Sequence, residues 1–102
     1  MKRRDVIFTP EASDDLERLY DRVAAAAGTL VADRYVERLR SWCKGFEFGG
    51  TRGQRRDDIR PGLRVVGFER RVAVAFYVDD TTVVILRVFY GGRNWEPELL
   101  DS

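Results

Sequence analysis

TVVILRVFYGGRNWE, residues 82–96, is the stretch whose reading decides the fold. Val83, Val84, Ile85, Leu86, Val88, Phe89 and Tyr90 put apolar side chains on both faces of an extended segment. A half-exposed strand alternates apolar with polar residues, whereas a strand covered on both sides reads as a near-continuous apolar run. The segment is therefore expected as an inner strand with one cation, Arg87, set into it. Gly91-Gly92 breaks the strand, and Arg93, Asn94 and Trp95 form a polar cluster at its exit.

Working outward, two further strands precede it, Leu63 to Phe68 and Arg71 to Val78. Their connections, Glu69-Arg70 and Asp79 to Thr81, are short enough for hairpins, so the three segments form an antiparallel meander. Pro61-Gly62 reads as a turn that ends a polar connection, Thr51 to Gly62, whose lone apolar residue is Ile59. Upstream, Thr9 and Pro10 are a helix N-cap and first helical residue, and Gly28 a C-terminal stop. Between them Ala12, Leu16, Leu19, Tyr20, Val23, Ala24 and Ala27 recur at helical spacing. Glu11, Asp14 and Asp15 sit in the first turns, where the helix dipole favours negative charge. A second stripe, Ala32, Tyr35, Val36, Leu39, Trp42, Cys43 and Phe46, follows at once, so the two helices form an antiparallel hairpin. Val6-Ile7-Phe8 is a short N-terminal strand. The expected fold is α+β: an N-terminal strand, a helical hairpin and a three-stranded antiparallel meander, the helices covering one face of the sheet.

The chain has 102 residues, 44% hydrophobic and 34% charged, enough for one domain (1–102) with its own core. With no histidine and the single cysteine Cys43, a transition-metal site is nearly excluded and the commonest general base is missing. Cys43 lies on an apolar stripe and reads as a core residue; a lone cysteine also suits a reducing, cytoplasmic setting. No apolar run approaches the roughly 20 residues of a membrane span. Net charge is only +1, but residues 49–71 hold seven arginines against Asp57, Asp58 and Glu69, sufficient for a positive face. Arg87, inside an apolar run, must reach water or a carboxylate, with Asp57, Asp58 or Glu69 as the expected structural partners.

Three segments in this order, FTPEASDDLERLYD, RDDIRPGLRVVGFERR and VVILRVFYGGRNWEPEL, resemble the ParE branch of the RelE/ParE toxin superfamily. Members read F-T-x-x-A-x-x-D-L in the first helix, R-x-x-x-R-P-G-L-R into a strand, and I-L-R-V-x-H-G-x-R-D-W near the end. Tyr90 stands here in place of the histidine and Asn94 in place of the aspartate. The resemblance spans nearly the whole chain. It implies a cytoplasmic type II toxin, without cofactor or metal, held silent by a ParD-like antitoxin encoded beside it. ParE-like members inhibit DNA gyrase by protein contact, with no sequence-specific nucleic-acid binding expected, whereas RelE-like members cleave messenger RNA on the ribosome.

Under the first reading no residue is catalytic, and Arg60, Arg64, Arg87, Arg93 and Trp95 are the expected target or partner contacts. Under the second, Arg60, Arg64 and Arg87 would stabilise phosphate charge and Tyr90 would act as the acid. Arginine is a poor proton shuttle at neutral pH, which favours the first reading. Each residue also has a structural explanation: a proline-fixed turn for Arg60 to Arg64, a salt bridge for Arg87, backbone freedom for Gly91-Gly92, and tail packing for Trp95, Leu99 and Leu100. A hairpin on a small sheet leaves a groove and a sheet edge, which suit an amphipathic helix followed by an added strand. Leu16, Tyr20, Tyr35 and Leu39 are the expected antitoxin-groove residues.

Overall fold

The computed structural model describes residues 3–47 and 53–91. Strand β1 (Asp5–Phe8) leads into α1 (Pro10–Ala27) and α2 (Thr29–Lys44), which ends in a 3-10 turn (Gly45–Glu47). Strands β2 (Gln54–Arg55), β3 (Arg64–Phe68), β4 (Val72–Val78) and β5 (Thr82–Tyr90) follow. Thr9 caps α1 by accepting the Ala12 N–H at 3.0 Å, with Pro10 at the first helical position. A single residue, Gly28, joins the helices at φ +94°, a conformation that L side chains rarely adopt.

The sheet order among the described residues is β1-β5-β4-β3-β2, which makes β5 an inner strand, as its apolar run implies. Two features differ from the expected antiparallel meander with an added N-terminal strand. β1 pairs parallel to β5, from Asp5↔Thr82 to Phe8↔Ile85, so the sheet is mixed. A fifth strand, β2, pairs antiparallel with β3 at Gln54↔Val65 and Arg55↔Arg64. Its residues carry no apolar pattern, so the sequence offers no strand signal there. Gly53 permits the pairing: a Cβ at that position would lie 2.7 Å from the Val65 carbonyl oxygen.

Leu16, Leu19, Leu39, Cys43 and Phe46 meet Val74, Phe76, Val83, Ile85 and Val88 in the main core, so the helices do cover one face. Cys43 and Phe46 are fully buried, and the Phe46 ring lies 4.9 Å from that of Phe76. The opposite face holds a smaller cluster, Leu63, Ala75 and Phe89, sheltered by Ile59 from the β2–β3 connection.

β5 tolerates its cation through a bulge. Ala75 faces Arg87 but Phe76 faces Ile85, leaving Leu86 as the extra residue. Side chains alternate between faces, so one inserted residue reverses the alternation beyond it. Val83 and Ile85 before the bulge and Val88 after it therefore all reach the helix-side core, while Arg87 falls on the side of Phe89. An unbulged strand would drive Arg87 into the helix-side core.

The β3–β4 hairpin turns through Glu69 (φ 49°) and Arg70 (φ 66°), both left-handed without being glycine. The Arg38 guanidinium holds Glu69 with two bonds of 2.8 and 2.9 Å. Arg70→Gly relieves one strained position and is expected to raise stability by about 1 kcal/mol, a Tm gain of about 4–8 °C in thermal melting. An unchanged or lower Tm would contradict that reading of the turn.

Candidate functional site

The longest-range polar network in the described structure ties the start of α1 to the bulge of β5. β1 ends opposite Ile85, so among the described residues the outer edge of β5 has no neighbouring strand beyond that point. Helix α1 takes over its hydrogen bonding. The Thr9 N–H donates to the Ile85 carbonyl at 3.0 Å, and the Thr9 hydroxyl donates to the Leu86 carbonyl at 2.8 Å. Asp15, two turns along the helix and only 6% exposed, accepts the Val88 N–H at 2.9 Å. The same carboxylate accepts Nε and Nη2 of Arg87 at 2.7 and 3.0 Å, and Nη2 of Arg18 at 2.7 Å. A buried carboxylate with four donors is fully satisfied.

Burial pushes the Asp15 carboxyl upward. Its bonds to Arg87, the Val88 N–H and Arg18 outweigh that and hold it below the usual aspartate range. Arg87 also lies 4.9 Å from the Phe89 ring centroid, so its guanidinium is anchored on two sides.

Arg87 therefore does not pair with Asp57, Asp58 or Glu69 as expected. Asp57 is held by Arg55 at 3.1 Å and by the Gly62 N–H at 2.8 Å, Asp58 by Arg56 at 2.8 Å, and Glu69 by Arg38. Those acids serve cations close to them, and two arginines of the basic segment are thereby neutralised locally. Asp15, read from the sequence only as a first-turn acid, lies three residues after Ala12 and four before Leu19, in phase with the buried stripe of α1.

The four side chains of the RNA-cleaving reading are not gathered. Cross-strand partners share a face. Arg64 is opposite Phe76 and therefore lies on the helix side, as does Tyr90, which packs against the main core. Arg60 lies over the Tyr77 ring on the other face, at 5.6 Å, and Arg87 turns round the strand edge to Asp15. Tyr90 is level with Val72 and Phe68, four residues along β3 from Arg64, or about 13 Å. Arg22 stands over the Tyr90 ring at 5.1 Å. Arg93 and Trp95 lie outside the described residues.

The expected antitoxin-groove residues also divide. Leu39 is fully buried in the core and not available at the surface. Leu16, 1% exposed, is the floor of a groove between α1 and α2 that Tyr20 and Val36 also line. Tyr35 packs edge-on against Phe68, and its hydroxyl is buried with no hydrogen-bond partner among the described residues. Tyr35→Phe removes a desolvated polar atom while keeping the ring, so it is expected to match the wild type or gain about 1 kcal/mol. A loss of that size in chemical denaturation would reveal a partner for the hydroxyl.

A family model described as the ParE toxin of the type II toxin–antitoxin system parDE matches residues 6–95. Toxin ParE3 of Caulobacter vibrioides is 32% identical over 94 residues, covering 92% of this chain and 93% of its own. A solved chain from the chromosomal ParDE system of P. aeruginosa aligns with TM-score 0.75 and 25% identity, over 86% of this chain and 96% of that one. A chain of the toxin–antitoxin complex RelBE2 from Mycobacterium tuberculosis aligns with TM-score 0.54 and 27% identity, over 86% and 98%. Two of the three segments that carry the resemblance interlock here, Thr9 bonding Leu86 and Asp15 bonding Arg87 and Val88. This chain belongs to the ParE toxin family of type II toxin–antitoxin systems.

Proposed function

We propose that this toxin arrests growth by binding DNA gyrase through protein contact, in the cytoplasm and without a cofactor, and that a ParD-like antitoxin silences it. The observation that carries the reading is the dispersal of Arg60, Arg64, Arg87 and Tyr90 over two faces, with Arg87 committed to Asp15. Metal-independent RNA cleavage needs a base, an acid and cations converging on one phosphate. Contact inhibition needs only a shaped surface, and Arg60 and Arg64, both half-buried at the β2–β3 side, remain its candidate contacts together with Arg93 and Trp95. The ParDE system to which the P. aeruginosa relative belongs supports an antitoxin of the ParD kind. No helix among the described residues is long and apolar enough to cross a membrane.

A supercoiling assay with purified gyrase tests the target. Inhibition at about micromolar toxin, relieved by the product of the adjoining gene, is expected. Full supercoiling in the presence of folded, antitoxin-binding toxin would overturn the proposal. The likeness to a RelBE2 chain keeps one competitor in view, a ribosome-dependent messenger RNA endonuclease. New 5′ ends within translated messages after induction would favour that competitor.

A further inference from the structure

The contact between α1 and the outer edge of β5 repeats once beyond Asp15. The first register is filled from within: the Val88 N–H and the Arg18 guanidinium donate to the Asp15 carboxylate at 2.9 and 2.7 Å. Farther along the strand, the Gly91 N–H turns inward to the Arg71 carbonyl at 2.8 Å. Alternation along an antiparallel strand therefore points the Tyr90 N–H outward, like that of Val88. Helix α1 keeps pace, because four helical residues advance about 6 Å and two strand residues about 6.7 Å. Arg22, four residues after Arg18, accordingly reaches the end of β5. Its Cζ lies 5.1 Å from the Tyr90 ring centroid, and its Nη1 3.7 Å from where a Cβ on Gly91 would stand. Arg22 has no ion pair among the described residues. The residue four after Asp15 is Leu19, 3% exposed, so the helix supplies no carboxylate to this second register. A cavity of about 330 Å³ opens there instead, between Arg18, Arg22, Val88 and Tyr90, with Asp21 on its wall.

We infer that this cavity is a binding site for an exogenous carboxylate, which takes the Arg22 guanidinium and the Tyr90 N–H as Asp15 takes Arg18 and the Val88 N–H. The lining selects the anion. A guanidinium beside an N–H matches the two coplanar oxygens of a carboxylate. Asp21, exposed on the wall, and Asp15, already engaged by Arg87 and Arg18, both oppose a second negative charge and so disfavour a phosphate dianion. Leu19 and Val88 offer an apolar floor to the carbon that bears the carboxylate. The site does not depend on which target the toxin inhibits.

An NMR titration of the isotope-labelled full chain at constant ionic strength tests this through the Arg22 Nε–H and Tyr90 amide signals. The probes are sodium acetate, a capped tripeptide with a central aspartate, inorganic phosphate and chloride. Both carboxylates are expected to move those two signals saturably, acetate with an affinity near about 1 mM. Binding of the tripeptide at least about ten-fold more tightly than acetate assigns the site to an acidic side chain of a protein, and equal affinity assigns it to a small free acid. Arg22→Gln changes an exposed position and is expected to weaken acetate at least about ten-fold, with the remaining amide signals in place. Asp21→Asn is expected to strengthen it about two-fold or more. The assignment is overturned by the absence of a saturable shift at the two signals, or by the same shift with chloride. Phosphate binding as tight as acetate, or acetate affinity unchanged in Arg22→Gln, also overturns it.

Discussion

Asp15→Ala is expected to destabilise the fold by about 3–5 kcal/mol, the cost of breaking a buried ion pair from one side. The Asp15 side chain is 4% exposed and that of Arg87 18%, so solvent screens their pair weakly. Removing the carboxylate strands the Arg87 guanidinium and the buried Val88 N–H together. Arg18, 67% exposed, simply turns to water and adds little. A domain of this size has roughly 5–15 kcal/mol in all, so Tm should fall by about 12 °C or more in thermal melting. A loss below about 1 kcal/mol would mean that the network is incidental.

The same substitution has a pH signature. The folded protein holds the Asp15 carboxyl below its ordinary range, so the contribution is complete above the unfolded pKa and disappears as pH falls through the folded one. The Tm gap between wild type and Asp15→Ala should thus be constant near neutrality and begin to close below about pH 4. A gap that widens in acid would contradict the sign of the shift.

Thr9→Val is expected to cost about 2–3 kcal/mol, although it keeps the side chain's shape. The Thr9 hydroxyl accepts the Ala12 N–H and donates to the Leu86 carbonyl, so it caps α1 and satisfies the bulge at once. Valine leaves both backbone groups without that partner. Thr9→Ser retains the hydroxyl and should recover most of the loss. Equal stability of the valine and serine variants would remove the junction from the account.

The helices and the inner strand were legible because their apolar spacing follows the geometry of the elements themselves. Thr9, Pro10 and Gly28 marked the first helix at both ends, and the run from Val83 to Tyr90 marked a doubly covered strand. Three things were less accessible. The parallel direction of β1 depends on how the whole hairpin returns to the sheet, which no local pattern records. β2 is created by Gly53 letting two polar residues approach β3, with no apolar signal. The partner of Arg87 is 72 residues away, and nearer acids looked sufficient. The clue was an aspartate in phase with a buried stripe, a position where a carboxylate needs a cation from elsewhere in the fold.

That network also changes what the end of β5 means for function. Arg87, the most suggestive cation in the sequence, clamps the first helix to the last described strand, which under the proposed function leaves target recognition to surface groups. The measurement that tests this most directly is the supercoiling inhibition of Arg87→Met, expressed per folded molecule with the folded fraction taken from denaturation. The account predicts a clear loss of stability, about 2–4 kcal/mol, with inhibition per folded molecule within about two-fold of wild type. An unchanged Tm together with inhibition reduced about ten-fold or more would place Arg87 at the target and contradict it.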